Sequence, residues 1–174
     1  MGTGIIRGMD HIGITVSDIN EATQFFEQAF GAQVIYDSVA LTDEDVKGQE
    51  AEKILNLFPG TEISAVRMLT LQHGPGLELF EMKGPQQNQP QRPSDFGIQH
   101  FGVYVDDMQE AINRFENAGG KMFTAPQPLM FPTEIGNNNY FCYGQTPWGS
   151  VIELISLPSA MPYEKTTSLR RWKP

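Results

Sequence analysis

The chain repeats itself, and that repeat limits the fold more than any other feature of its 174 residues. At an offset of 89 positions, HIGITVSDINEATQFFEQAFG (11–31) matches HFGVYVDDMQEAINRFENAGG (100–120) at ten of 21 positions. The identities include His11/His100, Gly13/Gly102, Asp18/Asp107, Glu21/Glu110, Phe26/Phe115 and Gly31/Gly120. A second match closes each copy. GPGLELFEM (74–82) is similar to WGSVIELIS (148–156), which puts Glu78 and Glu153 in equivalent places. A pattern that returns as a block is the mark of a duplicated supersecondary unit. The expected organisation is a first module over 8–83, a Pro- and Gln-rich linker over 84–96, a second module over 97–157 and a tail over 158–174.

Each module reads as α+β. His11 to Val16 alternates apolar and polar residues, the period of a half-buried strand. Asp18 with Glu21 three residues on has the form of a helix N-terminus. Ala22, Phe25, Phe26, Ala29 and Phe30 then follow at helical spacing, and Gly31 is placed to end the helix. Asp107, Glu110, Ala111, Ile112, Phe115 and Ala118 repeat the plan. Ala32–Val39 reads as the next strand, and Ser64–His73 with Leu77–Met82 as a hairpin around Gly74-Pro75-Gly76. The second copy offers Asn139–Tyr143 and Ser150–Ser156. The order is strand, helix and about three strands, twice. The first module is longer by 14 residues, most of them an insert at about 41–63 that reads as a helix or an ordered loop.

Composition removes several function classes. A net charge of −9 disfavours nucleic acid and anionic membranes as partners, and Arg170-Arg171 is too short a basic run to reverse this. The single cysteine, Cys142, rules out an intrachain disulfide, CxxC zinc modules and iron–sulfur clusters. It reads as a buried apolar residue. No apolar run approaches the ~20 residues of a membrane span. The first nine residues are too short for a secretory signal, and Ile6 breaks a myristoylation motif at Gly2. Gly2, Gly4 and Gly8 lack the spacing of a dinucleotide fingerprint. A cytoplasmic setting is the expectation.

The chemistry concentrates on four residues. His11 and His100 each open a strand, and Glu78 and Glu153 each sit in an apolar terminal strand, where a carboxylate is costly unless paired, exposed or bound to a metal. Two imidazoles and two carboxylates at matched positions suit one divalent first-row metal: Zn, Ni, Co, Mn or Fe. Gln72 is a substrate-binding candidate, because a three-residue loop at Gly74–Gly76 would set it opposite Glu78. The segment 123–140 reads as a lid or specificity loop carrying Met130 and Phe131. Tyr140, Tyr143 and Trp148 are candidates for a pocket wall.

DHIGITV, QHFGVYV, LELFE and WGSVIELIS together resemble the vicinal oxygen chelate superfamily, which includes glyoxalase I, methylmalonyl-CoA epimerase, extradiol dioxygenases and bleomycin-resistance proteins. The resemblance spans residues 8–157. It implies two tandem βαβββ modules in a curved, mostly antiparallel sheet around a metal. It also implies His11, Glu78, His100 and Glu153 as metal ligands, with Glu153 or Glu78 as the catalytic base. The implied function is a metal-dependent isomerase, epimerase or lyase acting through a chelated enediolate on a small oxygen-rich substrate. An iron-dependent extradiol dioxygenase is one alternative, and a non-catalytic binding protein is another. Thr15 stands where glutathione-using members carry an Arg. A homodimer is expected, since edge strands of such sheets commonly pair across subunits.

Overall fold

A computed structural model of the chain describes residues 8–174; the readings made on Gly2, Gly4 and Ile6 lie outside the described residues. The chain divides into two compact units: the stretch to Glu27 with Gly31–Gln87, and Gln28–Phe30 with Asn88–Pro174. The main boundary lies near residue 87, and the last turn of the first helix groups with the second unit.

In the first unit the elements are β1 (His11–Val16), α1 (Ile19–Phe30), β2 (Gln33–Val39), α2 (Gln49–Leu55), β3 (Glu62–Thr70) and β4 (Gly76–Lys83). Their start and stop signals are local. Asp18 caps α1 by accepting from the backbone N–H groups of Asn20 and Glu21, a cap whose loss costs about 1 kcal/mol. Gly31 stops the helix at φ 66°, a left-handed conformation that glycine enters without steric cost. The strands lie in the order β1-β4-β3-β2, with β1 parallel to β4 and the other pairs antiparallel. The apolar stripe of α1 and the sheet residues Ile14, Val16, Leu69, Leu77 and Leu79 form the core, each 9% exposed or less. The insert forms α2, none of whose residues is buried, and an isolated bridge between Val46 and Ile63.

The buried Glu81, beside the recognised Glu78, is paired in a way its sequence context does not announce. Its carboxylate accepts from the backbone N–H of Ile19 at 2.9 Å, at the N-terminus of α1. A helix N-terminus offers unpaired N–H donors and a favourable dipole end, so this carboxylate is stabilised where it stands. It fixes α1 on the sheet face that carries Leu77, Leu79 and Glu81. By alternation, Glu78 and Phe80 occupy the opposite face.

The second unit repeats the plan with β5 (Phe101–Tyr104), α3 (Met108–Asn117), β6 (Lys121–Met122), β7 (Gln127–Pro128), β8 (Tyr140–Gln145) and β9 (Val151–Ser156). Here β5 is parallel to β9, β8 is antiparallel to β9, and the short β6 and β7 both pair with β8. Both sheets are mixed and mostly antiparallel, as expected; the parallel pair in each arises because the first strand of the module runs alongside its last. The repeat extends to register: Gly13 pairs with Glu78, and Gly102 with Glu153.

The tail folds back on its own unit. Met161 is buried in a cluster with Ile155 and Leu157, with Tyr104, Leu129, Phe141 and Tyr163 packed against it. The Tyr104 hydroxyl donates to the Trp172 carbonyl at 2.8 Å, and Arg171 pairs with Glu134 at 3.6 Å. The buried Asn139 accepts from the Ser159 N–H and donates to its carbonyl, which ties the tail to the 123–139 loop. Among the described residues no helix is long and apolar enough to cross a membrane.

Candidate metal centre

Each unit brings one imidazole to one carboxylate. His11 Nε2 lies 3.2 Å from Glu78 Oε2. His100, immediately before β5, places Nε2 at 3.4 Å from Glu153 Oε2. The sheet makes these meetings unavoidable. His11 stands two residues before Gly13, the register partner of Glu78, and His100 two before Gly102, the partner of Glu153. Residues two apart on a strand share a face.

The other ring nitrogen of each histidine is already committed. His11 Nδ1 lies 2.7 Å from the Asp10 carboxylate. A carboxylate only accepts, so Nδ1 donates to Asp10, and Nε2 is the nitrogen that faces Glu78 and would be presented to a metal. His100 Nδ1 lies 2.8 Å from Gln99 Oε1, while the Gln99 amide nitrogen donates to the Pro93 carbonyl at 3.1 Å. That second bond fixes which end of the Gln99 amide faces the ring. Metal-binding histidines are held in this manner, one nitrogen oriented by an acceptor and the other presented to the ion. The Asp10 hydrogen bond, aided by the charges of Glu78 and Asp10 and opposed by burial, raises the His11 pKa above its ordinary value.

The donor set fits a divalent metal. Nitrogen and oxygen ligands at roughly 2.0–2.2 Å from a shared ion stand about 2.9–3.5 Å apart at angles from octahedral to tetrahedral. Both Nε2–Oε2 separations fall in that span. Among the described residues no group of three or more His, Cys, Asp or Glu is gathered as a ready metal cluster; each unit presents a pair. Gly102 shapes the second one. A Cβ there would stand 3.3 Å from Glu153 Oε2, so the missing side chain is the space the carboxylate occupies.

Several expected neighbours lie elsewhere. Gln72 is not opposite Glu78: the register places Met68 there. The connection runs from Leu71 to Pro75 because Gly76 already belongs to β4, bonding its N–H to the Asp10 carbonyl. Gln72 sits at φ 50° and donates its amide to the Gly31 carbonyl, at the end of α1. Tyr140 lies on the face of β8 shared with Cys142, whereas Phe141 and Tyr143 share the face of Glu153. Trp148 is in the β8–β9 turn, its indole donating to Ser150 Oγ at 3.0 Å. Met130 and Phe131 are exposed, and the anchor of that loop is Leu129. Cys142 is buried as expected. Desolvation, with the charge of Glu153, pushes its thiol up to about 11, which removes it as a nucleophile. Asp10 and Gln99 were missed, although an acceptor precedes the histidine in both copies.

A family model described as Glyoxalase/Bleomycin resistance protein/Dioxygenase superfamily matches residues 8–154. A protein from Actinomyces sp. named 2-epi-5-epi-valiolone epimerase is 31% identical over 166 residues, covering 94% of this chain and 87% of that protein. Among solved structures, a glyoxalase family protein from Bacillus cereus superposes with a TM-score of 0.65 at 19% identity, over 90% of this chain and 97% of the other. A fosfomycin resistance protein mutant from Listeria monocytogenes, complexed with manganese(II) and 1S,2S-dihydroxypropylphosphonic acid, superposes with a TM-score of 0.54 at 17% identity, over 87% and 90% of the two chains. These two structural likenesses are of fold.

Proposed function

The chain belongs to the Glyoxalase/Bleomycin resistance protein/Dioxygenase superfamily, and from that premise we propose that it is a divalent-metal-dependent epimerase or isomerase. Its substrate would be a small polyhydroxylated molecule with a hydroxyl-bearing carbon beside a carbonyl. The observation that carries this reading is the duplicated His–Glu pair, each with Nε2 and a carboxylate oxygen 3.2–3.4 Å apart and each histidine's Nδ1 tied to an acceptor. The name of the Actinomyces relative supports epimerisation over the lyase and dioxygenase alternatives.

His11, Glu78, His100 and Glu153 are the residues that would hold the metal. When bound, a divalent ion supplies Lewis-acid polarisation of a substrate oxygen, which lowers the cost of removing a proton from the neighbouring carbon. The chain's own residues do the rest. Asp10 and Gln99 hold the two imidazoles by Nδ1, so that each would turn Nε2 toward the metal. A glutamate carboxylate within hydrogen-bond reach takes the C–H proton as general base. A proton from water returns to the opposite face and inverts the centre, while the glutamate releases the proton it took to solvent; the reaction is redox-neutral and consumes no co-reactant. Thr15, at the place of the glutathione-binding Arg, leaves no cation there for a glutathione adduct.

The test has two arms. Protein purified without chelator is expected to hold about one metal per chain by elemental analysis. Glu153→Ala is expected to keep its circular dichroism spectrum and lose most of that metal. Full occupancy in the variant would remove Glu153 from the site. In D₂O, the metal-loaded protein is expected to exchange the proton beside the carbonyl of 2-epi-5-epi-valiolone or a related hydroxyketone, followed by proton NMR. Absence of exchange, with O₂ consumed on a catechol, would replace this reading with ring cleavage.

A further inference from the structure

One side chain touches both donors of the second pair. Tyr143 on β8 is the direct cross-strand partner of Glu153 on β9, the closest side-chain relationship a sheet provides. Its ring also meets the His100 imidazole edge-on, with centroids 4.9 Å apart and planes at 76°. Phe141 packs edge-to-face against the same ring at 5.6 Å and 74°. Edge-to-face contacts of this kind are directional, so a ring that makes two of them has little freedom to turn. The Tyr143 hydroxyl lies within hydrogen-bonding reach of the Glu153 carboxylate. A phenol carries its proton at neutral pH and a carboxylate only accepts, so the O–H donates to Glu153.

Among the described residues the first pair has no phenol at the matching place. The register partner of Glu78 is Met68, whose thioether has no proton to donate. The duplication that kept His, Gly and Glu in both modules placed a phenol beside one carboxylate and a sulfur beside the other.

We propose that Tyr143 is a positioning residue that makes His100 and Glu153 the anchored pair of metal ligands: its ring sets the plane of the imidazole and its hydroxyl holds the carboxylate. His11 and Glu78, without an equivalent, are the adjustable pair. The proposal rests on the reading of these four residues as ligands. It goes further in ranking the two pairs and in assigning a positioning role to a residue outside the four ligands.

Tyr143→Phe keeps the ring and removes the hydroxyl, while Tyr143→Leu removes both. Full-length metal-free protein is titrated with Mn²⁺, followed by calorimetry and by the EPR signal of free Mn²⁺. Tyr143→Phe is expected to weaken Mn²⁺ binding by about 10–100-fold, the usual cost of losing a group that orients a metal ligand, and Tyr143→Leu to weaken it more. Met68→Leu, the matching change in the first module, is expected to stay within about threefold of the parent, because it removes no hydrogen bond. The metal-free thermal midpoint of Tyr143→Phe should stay within ~3 °C of the parent, which separates lost positioning from lost fold. Unchanged Mn²⁺ affinity in Tyr143→Phe overturns the proposal and leaves the proposed function standing. A parent protein that binds none of Mn²⁺, Fe²⁺, Co²⁺, Ni²⁺ and Zn²⁺ in the same titration overturns both.

Discussion

At the scale of single residues, the site is built as much by what is left out as by what is present. Gly102 shows it: a Cβ at this position would stand 3.3 Å from Glu153 Oε2, closer than ordinary packing allows, whereas at the equivalent Gly13 the nearest heavy atom is a Phe80 ring carbon at 3.8 Å. Neither glycine has the positive φ that would strain an alanine, so substitution tests space alone. Gly102→Ala is expected to push the Glu153 carboxylate aside and weaken Mn²⁺ binding by ~10-fold or more, as for other changes beside a ligand. Gly13→Ala is expected to leave it nearly unchanged. A calorimetric titration of the two variants checks this, and equal affinities would mean that Glu153 has room to spare.

At the scale of elements, one ionic network ties three of them together. Arg67 on β3 donates to both carboxylate oxygens of Asp37 on β2, at 2.6 and 3.1 Å, and to Asn20 and Thr23 on α1. The hydrogen bond from Arg67, with its charge, lowers the Asp37 pKa below its ordinary 3.8, against the opposing effect of burial. A carboxylate depressed in the folded state stabilises the fold above its ordinary pKa, and that contribution is lost as pH falls through the folded value. Asp37→Asn is therefore expected to cost about 1 kcal/mol at pH 7, since both partners are partly exposed, or ~2–4 °C in thermal midpoint for a chain of this size. The gap to the parent should narrow as pH falls below ~3.8, where the parent loses the same charge. A midpoint difference independent of pH would remove the ion pair from the account. The sequence disclosed some elements better than others for the same physical reason that makes this network hard to foresee. β1 and α1 were legible to the residue, because alternation, an Asp cap and a terminal glycine are local signals. The β3–β4 connection was misread because Gly74-Pro75-Gly76 resembles a tight turn, while Gly76 is recruited into the sheet by a bond to Asp10, 66 positions earlier. The tail carries no periodicity at all. Contacts such as Tyr104–Trp172 and Asn139–Ser159 hold it, and a spacing pattern does not encode them.

At the scale of the whole molecule, duplication made the four candidate ligands visible: a lone His or Glu on a strand carries little information, and the same residues returning at matched places carry much more. What duplication does not provide is protection for the outermost strand of the first unit. β2 ends the order β1-β4-β3-β2 and, among the described residues, pairs only with β3. Its Val34, Ile35 and Tyr36 are 44%, 57% and 51% exposed. An apolar edge with unpaired backbone groups is a site for association, and a charged residue there is the usual defence. The chain is therefore expected to dimerise through this edge, with a sedimentation mass twice its 19.4 kDa at micromolar concentration. Ile35→Lys is expected to return it to the monomer mass, because the buried edge would then have to desolvate an ammonium group. Charge gives a second handle. Each chain carries −9, so two copies repel, and raising ionic strength from ~0.01 M to ~0.15 M shortens the screening length from about 30 to 8 Å. The dimer should tighten over that range. A monomer at every ionic strength would mean that the strand's exposure is tolerated, its apolar side chains too few to overcome the repulsion of two acidic chains.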